Sequence, residues 1–112
     1  MINIERIHHV AIICRDYQRS KDFYTKVLGF KIEQEIYRKE RESYKLDLSL
    51  NGQYLIELFS FPDPPARMTR PEAAGLRHIA FAVKDIEKEV TKLAVKNVFT
   101  EAIRIDKCTG KK

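Results

Sequence analysis

Hydrophobic and polar residues follow a pattern that occurs twice along these 112 residues. Residues 7–14 (IHHVAIIC) form a short, β-branched apolar run that ends at Arg15-Asp16, which predicts a strand leading into a helix cap. From Tyr17 to Leu28 the apolar residues Phe23, Tyr24, Val27 and Leu28 recur at helical spacing. Gly29 then stands where a left-handed C-cap belongs. Lys31 to Arg38 and Tyr44 to Leu50 alternate as strands do. Asn51-Gly52 predicts a tight hairpin into a further strand over Gln53 to Phe61. Residues 1–61 therefore read as a β-α-β-β-β module. All four prolines fall between Pro62 and Pro71, so 62–75 reads as a linker.

The pattern then begins again. Leu76 to Val83 predicts a strand, and Asp85 caps a helix with Ile86, Val90, Leu93 and Ala94 along one face. Phe99 to Ile105 predicts a second strand. IHHVAIICRD matches LRHIAFAVKD in hydrophobic pattern, in one histidine and in the closing Asp, at an offset of 69 positions. The fold class expected is α+β: one domain of paired βαβββ modules, residues 1–61 and 76–112. The second module is incomplete at the C-terminus, being two strands short of the first. A C-terminal segment beyond residue 112 is expected to supply them.

Composition changes this picture little. Hydrophobic content of 44% and charged content of 33% suit a water-soluble domain. No apolar run reaches the roughly 18 residues of a membrane span, and MINIERIHHV has no signal-peptide pattern. Cys14 and Cys108 are too few for a disulfide framework, and Cys14 is expected to pack as a small hydrophobe. A cytoplasmic protein is expected. The net charge of +5 raises nucleic-acid binding, but the cations are interspersed with acids (RKERESYK, KDIEKEVTK) and form no basic stripe. Neither nucleic acid nor membrane is expected as a partner.

The candidate chemistry lies in the repeated strands. Side chains alternate across a strand, so Ile7, His9, Ala11 and Ile13 share one face and His8, Val10, Ile12 and Cys14 the other. Leu76, His78, Ala80 and Ala82 form the matching face of the second copy. Small residues beside each histidine leave room for a ligand. Glu57 stands within the apolar run Tyr54 to Phe61, where an uncompensated charge is unfavourable and a divalent cation would neutralise it. His9, Glu57 and His78 thus form an N, N, O set suited to Zn, Ni, Fe or Mn. The same offset places a partner carboxylate for Glu57 near position 126. His8 reads as structural or surface. Tyr37, Arg38 and Tyr44 could contact a substrate, but exposed strand polarity is the favoured account of them. Arg67, Arg70 and Arg77 could hold a substrate carboxylate or merely be solvated.

Taken together, the two H-[VI]-A strands, FYTKVLGF, NGQYLIELFSF and GLRHIAF resemble the vicinal oxygen chelate superfamily, and most closely its small bacterial proteins similar to glyoxalase I (lactoylglutathione lyase). The resemblance covers nearly the whole chain. It implies the glyoxalase/bleomycin resistance fold and a His-Glu-His-Glu metal site, three positions of which fall on His9, Glu57 and His78. It further implies Ni or Zn as the metal and a cup-shaped sheet, commonly shared across a homodimer.

The activity so implied is a metal-dependent carbon–sulfur lyase. It would isomerise the hemithioacetal of a 2-oxoaldehyde and a thiol through an enediolate that the metal stabilises. The resemblance gives the base as a glutamate ligand, hence Glu57 or its counterpart near position 126. Two alternatives share the scaffold. One is another metalloenzyme, an Fe(II) extradiol dioxygenase or a thiol transferase. The other is a protein that sequesters small molecules without catalysis.

Overall fold

The protein is described by a computed structural model over residues 1–108. The end of the expected second module, residues 109–112, lies outside the described residues. The chain divides into two compact units, Met1–Glu72 and Ala73 onward.

The first unit contains β1 (Val10–Cys14), α1 (Tyr17–Asp22), β2 (Lys31–Arg38), β3 (Ser43–Leu50) and β4 (Gln53–Ser60). This is the β-α-β-β-β order expected of the first module. The four strands form one sheet in the order β1-β4-β3-β2, with β1 parallel to β4 and the remaining pairs antiparallel. The Asp16 side chain caps α1 by accepting from the Arg19 amide at 3.1 Å. Asn51 (φ 53°) and Gly52 (φ 78°) make the left-handed turn between β3 and β4, since only that hand of turn matches the twist of the strands.

Two local readings need correction. The helix expected from Tyr17 to Leu28 is α-helical only to Asp22 and continues as a π-helical turn over Phe23–Val27. The Leu28 amide reaches back to the Phe23 carbonyl at 3.0 Å, and Thr25 Oγ1 donates to the Lys21 carbonyl at 2.7 Å. The i→i−5 reach of the Leu28 amide is what makes this turn π-helical. The first strand begins at Val10 rather than residue 7, because its ladder with β4 starts at the Val10↔Ile56 pair.

The core of this unit is two cross-strand pairs, Leu46↔Leu58 and Leu48↔Ile56, each residue at most 1% exposed. Cys14 packs with the buried apolar residues as expected, and its burial pushes the thiol pKa up. No residue of α1 is fully buried, and a polar clamp ties the helix to β2. The Tyr17 hydroxyl donates to Glu35 at 2.6 Å, while Lys21 Nζ donates to both Glu35 oxygens at 3.0 and 2.9 Å. The hydrogen bond from Tyr17, then that from Lys21, holds the Glu35 carboxyl below its ordinary range.

A lowered carboxyl pKa contributes stability that is present above the unfolded value and lost as pH falls through the folded one. Glu35→Gln should therefore reduce stability at neutral pH by about 1 kcal/mol or less, since the pair is partly solvated. Urea midpoints of variant and wild type should converge as pH is lowered below about 4. A gap that stays constant down to acid pH would show that the clamp is not ionic.

The second unit holds α2 (Ile86–Val95). Asp85 caps it as expected, accepting from the Lys88 amide at 3.1 Å. Its C-terminus closes with Asn97 at φ 60°, where Val98 N–H bonds the Leu93 carbonyl and Asn97 N–H that of Ala94. That is the double bond of a Schellman cap.

The strands expected at Leu76 to Val83 and Phe99 to Ile105 are absent from every ladder among the described residues. Alternation is only the side-chain half of a strand. The backbone half is a ladder with a neighbouring strand, and among the described residues neither segment is part of one. Leu76, Phe81 and Ile105 accordingly remain 57, 41 and 62% exposed.

Candidate metal centre

Register decides what faces Glu57. It lies opposite Ala11 on β1 and opposite Asp47 on β3, while Ile56 and Leu58 point into the core behind the sheet. His9, just before β1, brings Nε2 to 3.7 Å from Glu57 Oε2. The structure thus brings together two of the three residues the sequence singled out. His78 lies in the second unit, outside any strand. Among the described residues, neither unit by itself gathers three His, Cys, Asp or Glu side chains able to hold a metal ion.

Glu57 is only 12% exposed, yet its charge has partners that sequence reasoning missed. The Tyr54 hydroxyl donates to Oε2 at 2.5 Å, and Lys45 Nζ lies 3.5 Å from the same oxygen. Lys45 also bonds Asp47 at 2.8 Å. Burial, then the hydrogen bond to Glu57, pushes the Tyr54 phenol well above its ordinary pKa. The hydrogen bond to Asp47 raises that of Lys45.

A glutamate in this apolar run therefore does not by itself require a cation. The charge count is more informative. Asp47 and Glu57 are two formal negative charges against one from Lys45, which leaves an excess negative charge beside the His9 imidazole.

Tyr54 reaches Glu57 through an irregularity in the sheet. The pairing skips Leu55, passing from Leu48↔Ile56 to Ser49↔Tyr54. The extra residue shifts the alternation, so Tyr54 shares a face with a residue three positions on. Asp47 carried a readable signal, standing between the inward Leu46 and Leu48.

His9 is fixed by its neighbours. Its ring stacks on Tyr54 (centroids 5.2 Å apart, 24° between planes), and its Nδ1 lies 2.8 Å from His8 Nδ1. His8 also packs edge-on against Tyr54 at 5.4 Å, so strand alternation does not separate the two histidines ahead of the ladder. With Nδ1 engaged by His8, Nε2 is the nitrogen turned to the carboxylate, at a distance beyond hydrogen bonding. Two donors of one ion at 2.0–2.2 Å bonds sit roughly 3.0–3.5 Å apart. The 3.7 Å between His9 Nε2 and Glu57 Oε2 is slightly longer than that spacing.

The comparisons agree with this architecture. The family profile of the Glyoxalase/Bleomycin resistance protein/Dioxygenase superfamily matches residues 6–112. The chain is 63% identical over 109 residues to the uncharacterized protein YwkD of Bacillus subtilis (strain 168), covering 97% of this chain and 85% of that one. It is 54% identical over 112 residues to the uncharacterized protein YaeR of Escherichia coli (strain K12), covering 100% and 87%. Among solved structures it is similar to the glyoxalase family protein from Enterococcus faecalis, with 45% identity, a TM-score of 0.87 and coverage of 95% and 83%. The chain belongs to the glyoxalase/bleomycin resistance/dioxygenase superfamily, and its α+β fold is that of the family. No helix among the described residues is long and apolar enough to cross a membrane.

Proposed function

We propose that this chain is a metal-dependent enzyme of its superfamily, isomerising the hemithioacetal of a 2-oxoaldehyde and a thiol as glyoxalase I does. One observation supports this above the others: an imidazole nitrogen and a carboxylate lie 3.7 Å apart on one sheet face, within a cluster of excess negative charge. His9, Glu57 and His78 would hold the cation, Ni or Zn by the chemistry of the donors. When bound, it would supply a Lewis acid for charge developing on substrate oxygens.

The chain's own residues do the rest. Tyr54 and Lys45 both act on Oε2 of Glu57 and fix the plane of the carboxylate. Oε1 is left as the atom to take and return the substrate proton. His8 sets the His9 ring through Nδ1, and Tyr54 sets it through its face.

The test combines metal analysis of the purified chain with an assay of methylglyoxal and several thiols under Ni(II), Zn(II) and Fe(II). Turnover with Ni or Zn and no oxygen uptake is the expected result. Oxygen uptake confined to Fe(II) would replace this reading with the dioxygenase one. Failure to bind any of the three ions would overturn the metal reading and favour ligand sequestration.

A further inference from the structure

Further along the same sheet face lies a cationic and aromatic cluster that the metal centre does not use. The Arg38 guanidinium sits over the Phe59 ring, 4.9 Å from its centroid, and 5.7 Å from that of Phe61. Its Nη2 donates at 2.9 Å to Ser43 Oγ, whose residue is fully buried. Its Nε is enclosed and has no hydrogen-bond partner. The ion pairs of this sheet join Lys21 to Glu35 and Lys45 to Asp47 and Glu57; Arg38 takes part in none among the described residues. Phe59 stands opposite Lys45 and two residues beyond Glu57, so the cluster begins roughly 7 Å along β4 from the carboxylate.

A half-buried guanidinium held over a ring, anchored at one nitrogen and lacking an acid, is arranged to receive one. Stacking orients its plane, the serine fixes its rotation, and the partial desolvation strengthens whatever anion it meets.

We propose that Arg38 reads a carboxylate carried by the substrate, with Phe59 as the apolar floor beneath the carbon skeleton. The substrate class is then a compact acid, its reacting oxygens near Glu57 and its carboxylate on Arg38. This rests on the reading above only for which end reacts; the anion site itself stands on the Arg38 geometry.

The experiment uses the metal-free, ¹⁵N-labelled chain, titrated with benzoate and with its neutral analogue benzamide at constant ionic strength. Arginine Nε–H resonances are followed by NMR. Wild type should bind benzoate about tenfold more tightly than benzamide, the lower range for a charge-assisted hydrogen bond. The largest shift should fall on Arg38. Arg38→Gln should abolish the preference, and Arg41→Gln, which removes the second cation over Phe61 (5.2 Å from its centroid), should retain it.

Equal binding of the two probes, a shift centred elsewhere, or a preference that survives in Arg38→Gln would overturn the proposal. Should Arg38→Gln fail to fold, the wild-type comparison and the position of the shift decide alone. Metal affinity of the wild type, measured separately, tests the catalytic reading and leaves this one untouched.

Discussion

Glu57→Gln is expected to lower the affinity for Ni(II) or Zn(II) by at least about a hundredfold, more than the 10- to 100-fold typical of outer-sphere partners. The amide keeps the volume and can still accept from the Tyr54 hydroxyl, so packing and melting temperature should change little. What disappears is the negative charge. Asp47 and Lys45 would then balance, and the cluster would lose the excess charge that favours a cation. Isomerase activity should fall in parallel, since the same carboxylate is the proposed base. Tyr54→Phe makes the contrast, removing one hydrogen bond to Oε2 and no charge, so its affinity loss should be about tenfold. Calorimetric titration of the three proteins gives the comparison. Wild-type affinity in Glu57→Gln would mark Glu57 as a structural residue serving Lys45 and Tyr54.

The largest stability effect should come from Leu58→Ala. Leu58 is fully buried against Leu46, and neighbouring strands on both sides prevent the site from collapsing. The expected loss is about 3 kcal/mol, transfer and cavity contributions together. For a domain with roughly 5–15 kcal/mol in all, that is a substantial share. It should appear as a lower urea midpoint at unchanged slope. Ile13, on the neighbouring strand and 61% exposed, offers the counterpart: Ile13→Ala should alter stability by only about 0.5 kcal/mol. Similar losses for the two would mean that the core lies elsewhere.

What could be read from the sequence was what short-range rules govern. Asp16 and Asp85 cap helices, Asn51-Gly52 turns a hairpin, and the alternation of β3 and β4 places Leu46, Leu48, Ile56 and Leu58 inside. His9 stood out by its place in the repeat and Glu57 as a charge in an apolar run, whereas their approach depends on the pairing of β1 with β4, which the repeat does not specify. The unread parts depend on departures from regularity or on distant partners. Tyr54 joins Glu57 only because Leu55 is skipped in the pairing, and no composition rule announces that bulge. The π-helical turn lies in an i→i−5 backbone bond from Leu28 to Phe23, which helical spacing does not reveal. Leu76 to Val83 has the side-chain pattern of a strand, but pairing is a property of two segments. A pattern in one of them cannot supply it.

The pairing of β1 also bears on when the centre comes into existence. β2, β3 and β4 join through short turns, whereas Val10 must find Ile56 across 45 intervening positions of chain. Closing the longer loop has the larger entropic cost, so the three-stranded meander is expected to form ahead of β1. Glu57, Asp47, Lys45 and Tyr54 all reside in that meander, and His9 does not. During refolding, amide protection should therefore appear in β2–β4 first, with the carboxylates and their lysine already assembled. The imidazole arrives with the last strand to dock, so a folding chain carries the acidic half of its centre before it can chelate.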